Sequence, residues 1–162
     1  MTRENSEITI KELINKITKE PYDIVLAAAF EPEEHGDLKW KFYEDIGELV
    51  KPLEKKIFLP HRDLDWKNLW PEEVYYAINE VIVPSSNLVI FYAGLPSTVA
   101  DMMIGRAYSN GIPVVAIYEK GNDSEIKDFR VKPLVTDKIE FETEQEALDK
   151  LKLYLQRFYS VG

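Results

Sequence analysis

Hydrophobic and polar positions change period several times along this chain, and each change marks an element. Residues 7 to 19, EITIKELINKITK, space Ile8, Ile10, Leu13, Ile14 and Ile17 at near-helical intervals, which predicts an amphipathic helix ended by Pro21. Residues 22 to 30, YDIVLAAAF, form an apolar run of strand length. From 37 to 55, Trp40, Phe42, Tyr43, Ile46, Leu49, Val50 and Leu53 share one helical face, with charges on the other. A second strand is predicted at 56 to 60, KIFLP, running into a polar and aromatic loop, HRDLDWKNLW. Pro71 then opens a helix at the favoured first position, with Glu72 and Glu73 placed to complement its dipole, and Pro84-Ser85-Ser86 closes it.

Asn87 to Tyr118 is the organising stretch. Leu88 to Tyr92 and Pro113 to Tyr118 are unbroken apolar runs, and between them a Gly-Leu-Pro turn leads into a helix from Ser97 or Thr98 to Ser109. That is a strand-helix-strand unit, whose right-handed crossover sets Ala93 to Ser97 at the carboxyl edge of the sheet, where open α/β sheets bind ligands. Ser97 can cap the helix, and the amides beside it can meet an anion. Thr98 and Asp101 offer a capping box. Beyond a polar loop at 119 to 127, two short pieces, 130 to 135 and 138 to 141, each qualify as the fifth strand. The last helix, 143 to 159, starts with a Thr-x-x-Glu capping box and carries Ala147, Leu148, Leu151, Tyr154, Leu155 and Phe158 on one face. The order predicts an α/β chain with a five-stranded parallel sheet between helices, a flavodoxin-like or Rossmann-like three-layer sandwich, as one domain over 1 to 162.

Composition narrows the function. With 162 residues, 45% of them hydrophobic and 12% aromatic, the chain can bury a core, and no apolar run reaches membrane-spanning length. A net charge of −9 disfavours nucleic acid and anionic membrane as partners. The absence of cysteine removes disulfide and thiolate chemistry. The start, MTRENSEITIKEL, has no signal-peptide character, so a cytoplasmic location is expected. His35, His61, Asp63 and Asp65 show no tight ligand spacing, and neither a metal nor another cofactor is expected.

One segment, PSTVADMMIGRA, resembles the signature of the nucleoside 2-deoxyribosyltransferase-like family, in particular its 2'-deoxynucleoside 5'-phosphate N-hydrolase branch, where the pattern runs roughly P-S-x-G-x-x-x-E-L-G-R-A. Pro96, Ser97, Gly105, Arg106 and Ala107 match, and Val99 replaces the first glycine of the pattern. Met103 stands where the resemblance implies the nucleophilic glutamate. By the same resemblance, Asn79 and Asn87 occupy positions of two aspartates. A thioether cannot attack an anomeric carbon, and asparagine cannot act as a base. Neither Asp101, about 200° round the helix from Met103, nor Glu80, about 100° from Asn79, projects where the missing carboxylate would.

The resemblance also implies a nucleoside pocket. Ala28, Ala29 and Phe30 correspond to the small and aromatic end of the first strand, and an acidic Glu31-Pro32-Glu33-Glu34-His35 follows where the hydrolase branch binds phosphate. His61, Arg62, Asp63 and Trp66 follow the second strand, while Gly94 and Ser97 follow the third. Three readings stay open: a nucleoside- or nucleotide-binding protein without the family's chemistry; an active N-glycosidase or deoxyribosyltransferase using His61 or Asp63 with water; and a non-catalytic oligomeric interaction module. A homo-oligomer is the expected assembly, with Trp40, Tyr43, Trp66, Trp70, Tyr75 and Tyr76 as interface candidates.

Overall fold

The computed structural model describes residues 3–32 and 35–160, with side chains from Ile10 onward. In chain order the elements are α1 (Arg3–Lys19), β1 (Ile24–Ala27), α2 (Trp40–Val50), β2 (Ile57–Phe58), α3 (Pro60–Asp63), α4 (Pro71–Tyr76), β3 (Leu88–Tyr92), α5 (Thr98–Ser109), β4 (Val114–Glu119), α6 (Ser124–Lys127), β5 (Asp137–Phe141) and α7 (Glu144–Ser160). The helix begun by α4 continues as a π turn over Ala77–Ile82. The strands form one parallel sheet in the order β2-β1-β3-β4-β5, so the fold is the expected flavodoxin-like three-layer sandwich.

Each strand feeds both layers because successive side chains point to opposite faces. Val25, Ala27, Val89 and Phe91 pack with Ile17 of α1, Ile78 and Ile82 of the π turn, and Ala100, Met103 and Ala107 of α5. Ile24, Leu26, Ile90 and Tyr92 face the other way, onto Phe42, Tyr43 and Ile46 of α2 and Leu151 and Leu155 of α7. Burial on both faces explains why the central strands read as continuous apolar runs.

Several boundaries differ from expectation. β1 pairs over only four residues because Ala28–Phe30 leave the sheet, and β2 is two residues long, with Pro60 already in α3. The fifth strand is 137–141, in register with Val115–Glu119 of β4; residues 132–134 of the other candidate form a 3-10 turn. Ser97 caps α5 as expected, its Oγ accepting from the Ala100 amide at 3.4 Å, so the Thr98–Asp101 capping box is not the cap that forms. The capping box at α7 forms as expected at its Thr143 end, where Oγ1 accepts from the Glu146 amide at 3.1 Å. Of the interface candidates, Tyr43 is fully buried, Trp40 and Trp66 are half-buried, and Trp70, Tyr75 and Tyr76 are exposed. Among the described residues, no helix is long and apolar enough to cross a membrane.

Candidate functional site

Strand order reverses between β1 and β3, and loops leaving the two sides of that point splay apart at the carboxyl edge. A cavity of about 360 Å³ lies there. Glu31 borders it from the segment after β1, Trp66 and Leu69 from the segment after α3, Pro71, Val74, Tyr75, Ile78 and Asn79 from α4 and its π turn, and Val99 and Met102 from α5. Val74, Tyr75 and Ile78, like Val99 and Met102, recur at helical spacing, so each helix presents one stripe to the cavity. The Trp66 ring meets Phe30 edge to face, 5.8 Å between centroids, which ties this wall to the end of β1.

Asn79 is the polar group set deepest in this lining, at 2% exposure. Its Nδ2 donates to the Tyr75 carbonyl at 3.3 Å, and its Oδ1 is buried with no hydrogen-bond partner. It sits inside the π turn, where Val83 N–H bonds the Ile78 carbonyl five residues back at 2.9 Å. Single π turns occur often at functional sites. A shallower groove continues outward past Tyr75, Asn79 and Met102 to Gly105, Arg106 and Ser109. Arg106 there is held by Glu80, 2.6 Å from guanidinium nitrogen to carboxylate oxygen.

The structure distributes the sequence-derived candidates unequally. Asn79 lines the cavity, whereas Met103 is fully buried in the apolar cluster behind it and its neighbour Met102 takes the lining position. Asn87 is exposed ahead of Leu88, at the amino end of β3 and hence the edge opposite the cavity. Ala28 and Ala29 are fully buried, and the Ala29 carbonyl accepts from the Tyr43 hydroxyl at 2.7 Å. The Phe30 carbonyl accepts from the Trp40 indole at 3.0 Å, so carbonyls that have left the sheet ladder are satisfied by α2. Glu33 and Glu34 of the acidic loop lie outside the described residues.

His61, Arg62 and Asp63 are absent from the cavity lining. His61 stacks on Trp40 at 5.5 Å and packs beside Tyr43 at 5.8 Å, with Nε2 3.4 Å from Glu44. Burial lowers its pKa, and Glu44 opposes the shift. Arg62 and Asp63 are paired through two hydrogen bonds of 2.8 Å, and Asp63 accepts from the Leu59 amide at 2.9 Å. This loop packs on the α2 side of the sheet, with His61 Nδ1 buried and without a hydrogen-bond partner. Gly94 gives its carbonyl to Asn122, and an added Cβ would meet the Tyr92 ring at 2.1 Å. Among the described residues no group of three or more His, Asp or Glu side chains is arranged to hold a metal ion.

Sequence reasoning missed a second cluster. On the other side of the α5 N-terminus, Asp101 and Glu125 face a separate hollow bordered by Pro96, Asp128 and Arg130. Both Glu125 carboxylate oxygens are buried, with Asp101 beside them. Burial and the adjacent Asp101 push the Glu125 pKa up to about 7. Three carboxylates against one arginine make this end of α5 unfavourable for an anion, despite its helix dipole. No sequence spacing links residues 101 and 125; only the fold brings them together.

No family model and no curated protein matches this chain. Among solved structures, the Clostridium botulinum CMP N-glycosidase BcmB is similar with a TM-score of 0.56 and 23% identity, over 81% of this chain and 98% of that one. The likeness is one of fold. The Vibrio vulnificus NanR protein complexed with ManNAc-6P aligns at a TM-score of 0.42 and 11% identity, over 95% of this chain and 55% of that one, too little to argue from.

Proposed function

We propose that this chain is a nucleoside- or nucleotide-binding protein of the nucleoside 2-deoxyribosyltransferase-like family that lacks the family's glutamate-dependent N-glycosidic chemistry. The observation that carries the proposal is the cavity at the strand-order reversal, walled by Trp66, Tyr75 and aliphatic side chains, with one deeply buried polar group. Such a lining suits a flat heteroaromatic ring, whose faces are apolar and whose hydrogen-bonding atoms lie only on its edge. The fold shared with a CMP N-glycosidase points the same way. The absence of cleavage chemistry is argued from the residues: an amide at 79 and a thioether at 103 supply neither an acid nor a nucleophile.

Glu31 motivates a second reading. It is the one carboxylate among the described residues that borders the cavity, and a carboxylate there could activate water against an anomeric carbon, as in inverting glycosidases. That chemistry also needs an acid about 6.5 to 9.5 Å away, and none lines the cavity among the described residues.

Thermal-shift titration with nucleosides and their monophosphates, followed by assay of the same mixtures for free base, tests both. A ligand at a hundred times its dissociation constant should add about 2.7 kcal/mol of stability. Stabilisation without base release is expected. Base release abolished by Glu31→Gln would replace the binding reading with the catalytic one, and no stabilisation by any member would remove both.

A further inference from the structure

Resting on the reading of the cavity as a nucleoside or nucleotide site, we infer that it takes the free nucleoside and discriminates against the 5'-monophosphate, and that Glu80 sets this preference by holding Arg106. A phosphomonoester carries about 1.5 to 2 negative charges at neutral pH, so it needs a cation or a cluster of donors where it rests. Among the described residues that border the cavity, the one charged side chain is Glu31, a carboxylate. The groove leading out of the cavity shares Tyr75, Asn79 and Met102 with it and adds a single cation, Arg106.

That cation is already engaged. Arg106 of α5 and Glu80 of the π turn, 26 residues apart in sequence, meet at 2.6 Å with side chains 33% and 39% exposed. As a unit the pair is close to neutral, so it attracts a dianion weakly, and drawing the guanidinium onto a phosphate would leave the Glu80 charge beside that phosphate. An uncharged sugar is treated differently. Its hydroxyls need donors and acceptors rather than net charge, and Glu80 receives from one guanidinium nitrogen while a guanidinium has five N–H groups. Backbone donors do not make up the missing charge either. At the amino end of α5, Ser97 is 4% exposed and its Oγ takes the Ala100 amide. On the far side of that terminus Asp101, Glu125 and Asp128 gather round a single Arg130, which is itself held by Asp128 at 2.8 Å. A net charge of −9 adds a general repulsion of anions.

Matched pairs that differ only in the phosphate test the inference. Adenosine, cytidine, guanosine and uridine are each compared with the 5'-monophosphate in calorimetric titrations of the wild type and Glu80→Gln. In every pair that binds, the wild type is expected to hold the nucleoside about tenfold or more tightly than the monophosphate, because like charges brought together at a site are strongly disfavoured. Screening should shrink that ratio as salt is raised. Glu80→Gln keeps the side chain's length and removes its charge, which releases Arg106 to the phosphate. The ratio is then expected to fall about fivefold or more, as a charge-assisted hydrogen bond replaces repulsion. A merely structural Glu80 would shift both members of a pair together, and a ratio unchanged in Glu80→Gln would overturn its assignment. Wild-type affinity for a monophosphate equal to or greater than that for its nucleoside would overturn the preference itself and leave nucleotide binding standing. Binding of none of the eight ligands would remove the nucleoside and nucleotide reading altogether.

Discussion

Trp66 and Phe30 meet edge to face at 5.8 Å, and through this contact the segment after β2 is anchored to the residue at which the chain has just left β1. Phe30 is 1% exposed and closely packed, so the indole rests on a fixed neighbour where it borders the cavity. Trp66→Ala is therefore expected to weaken nucleoside binding about tenfold or more, as base-aromatic stacking contributes about 1–3 kcal/mol. Its cost in stability should be smaller than that of removing a fully buried ring. Calorimetric titration beside urea denaturation checks this, and unchanged affinity would take the indole out of the site.

Restoring a carboxylate by Met103→Glu should not restore catalysis. The side chain at 103 is fully buried among Ile78, Phe91 and Ala100, so the new group would be charged or protonated within an apolar cluster. A loss of about 3 kcal/mol or more is expected, in line with uncompensated buried charges. Met102→Glu, at a position 37% exposed beside the cavity, should fold nearly normally. Melting temperatures of the two variants make the comparison. A stable Met103→Glu protein that releases base from nucleosides would contradict it.

Tyr43→Phe removes the hydroxyl that satisfies the Ala29 carbonyl at 2.7 Å. The carbonyl is then left buried and unpaired, at a cost of about 1–3 kcal/mol. The loss should appear as a lower urea midpoint with unchanged m-value. No loss would mean that another donor reaches Ala29.

Glu125 makes stability depend on pH in an unusual direction. Its pKa in the fold is about 7 against an ordinary 4.5, because burial and Asp101 disfavour its charge. The folded state thus holds a proton that the unfolded chain has released, and stability falls as pH rises from about 4.5 to 7. Glu125→Gln should be more stable than the wild type at pH 8 and nearly equal to it at acid pH. Parallel urea titrations at both pH values would show whether the gap opens.

His61 acts with the opposite sign. Burial lowers its pKa below the ordinary value of 6.5, so on acidification the unfolded chain takes up the proton first. Stability from this group is present above about 6.5 and is lost as pH falls below it. His61→Gln should flatten the acid limb of the stability profile, and Glu44→Gln, which removes the opposing partner at 3.4 Å, should steepen it. A profile unchanged by His61→Gln would mean that the ring does not report on folding.

The candidate site was only partly legible in the chain. Asn79 was found by analogy of position, and the carboxyl edge followed from the strand-helix-strand pattern. Met103, where the resemblance implies the nucleophile, packs in the core, and Met102 borders the cavity, because one residue on a helix is a rotation of about 100° and sequence spacing does not say which face the helix turns inward. The crowded loop after β2 drew attention to His61 and Asp63. Arg62 and Asp63 bond to each other and His61 packs against α2 instead, and the residue of that loop that borders the cavity is Trp66.

What the sequence determined by itself was the layer architecture: Ile24–Ala27, Leu88–Tyr92 and Val114–Ile117 are apolar throughout because both their faces are covered, and that periodicity is a local property. What the tertiary structure alone decided was every relationship that crosses layers. Among these are the fifth strand, chosen by pairing with β4, the Asp101–Glu125 encounter and the amide of Asn79 left with an unpaired oxygen in an apolar wall. Such contacts depend on the rotation and closure of packed elements, which spacing along the chain does not encode.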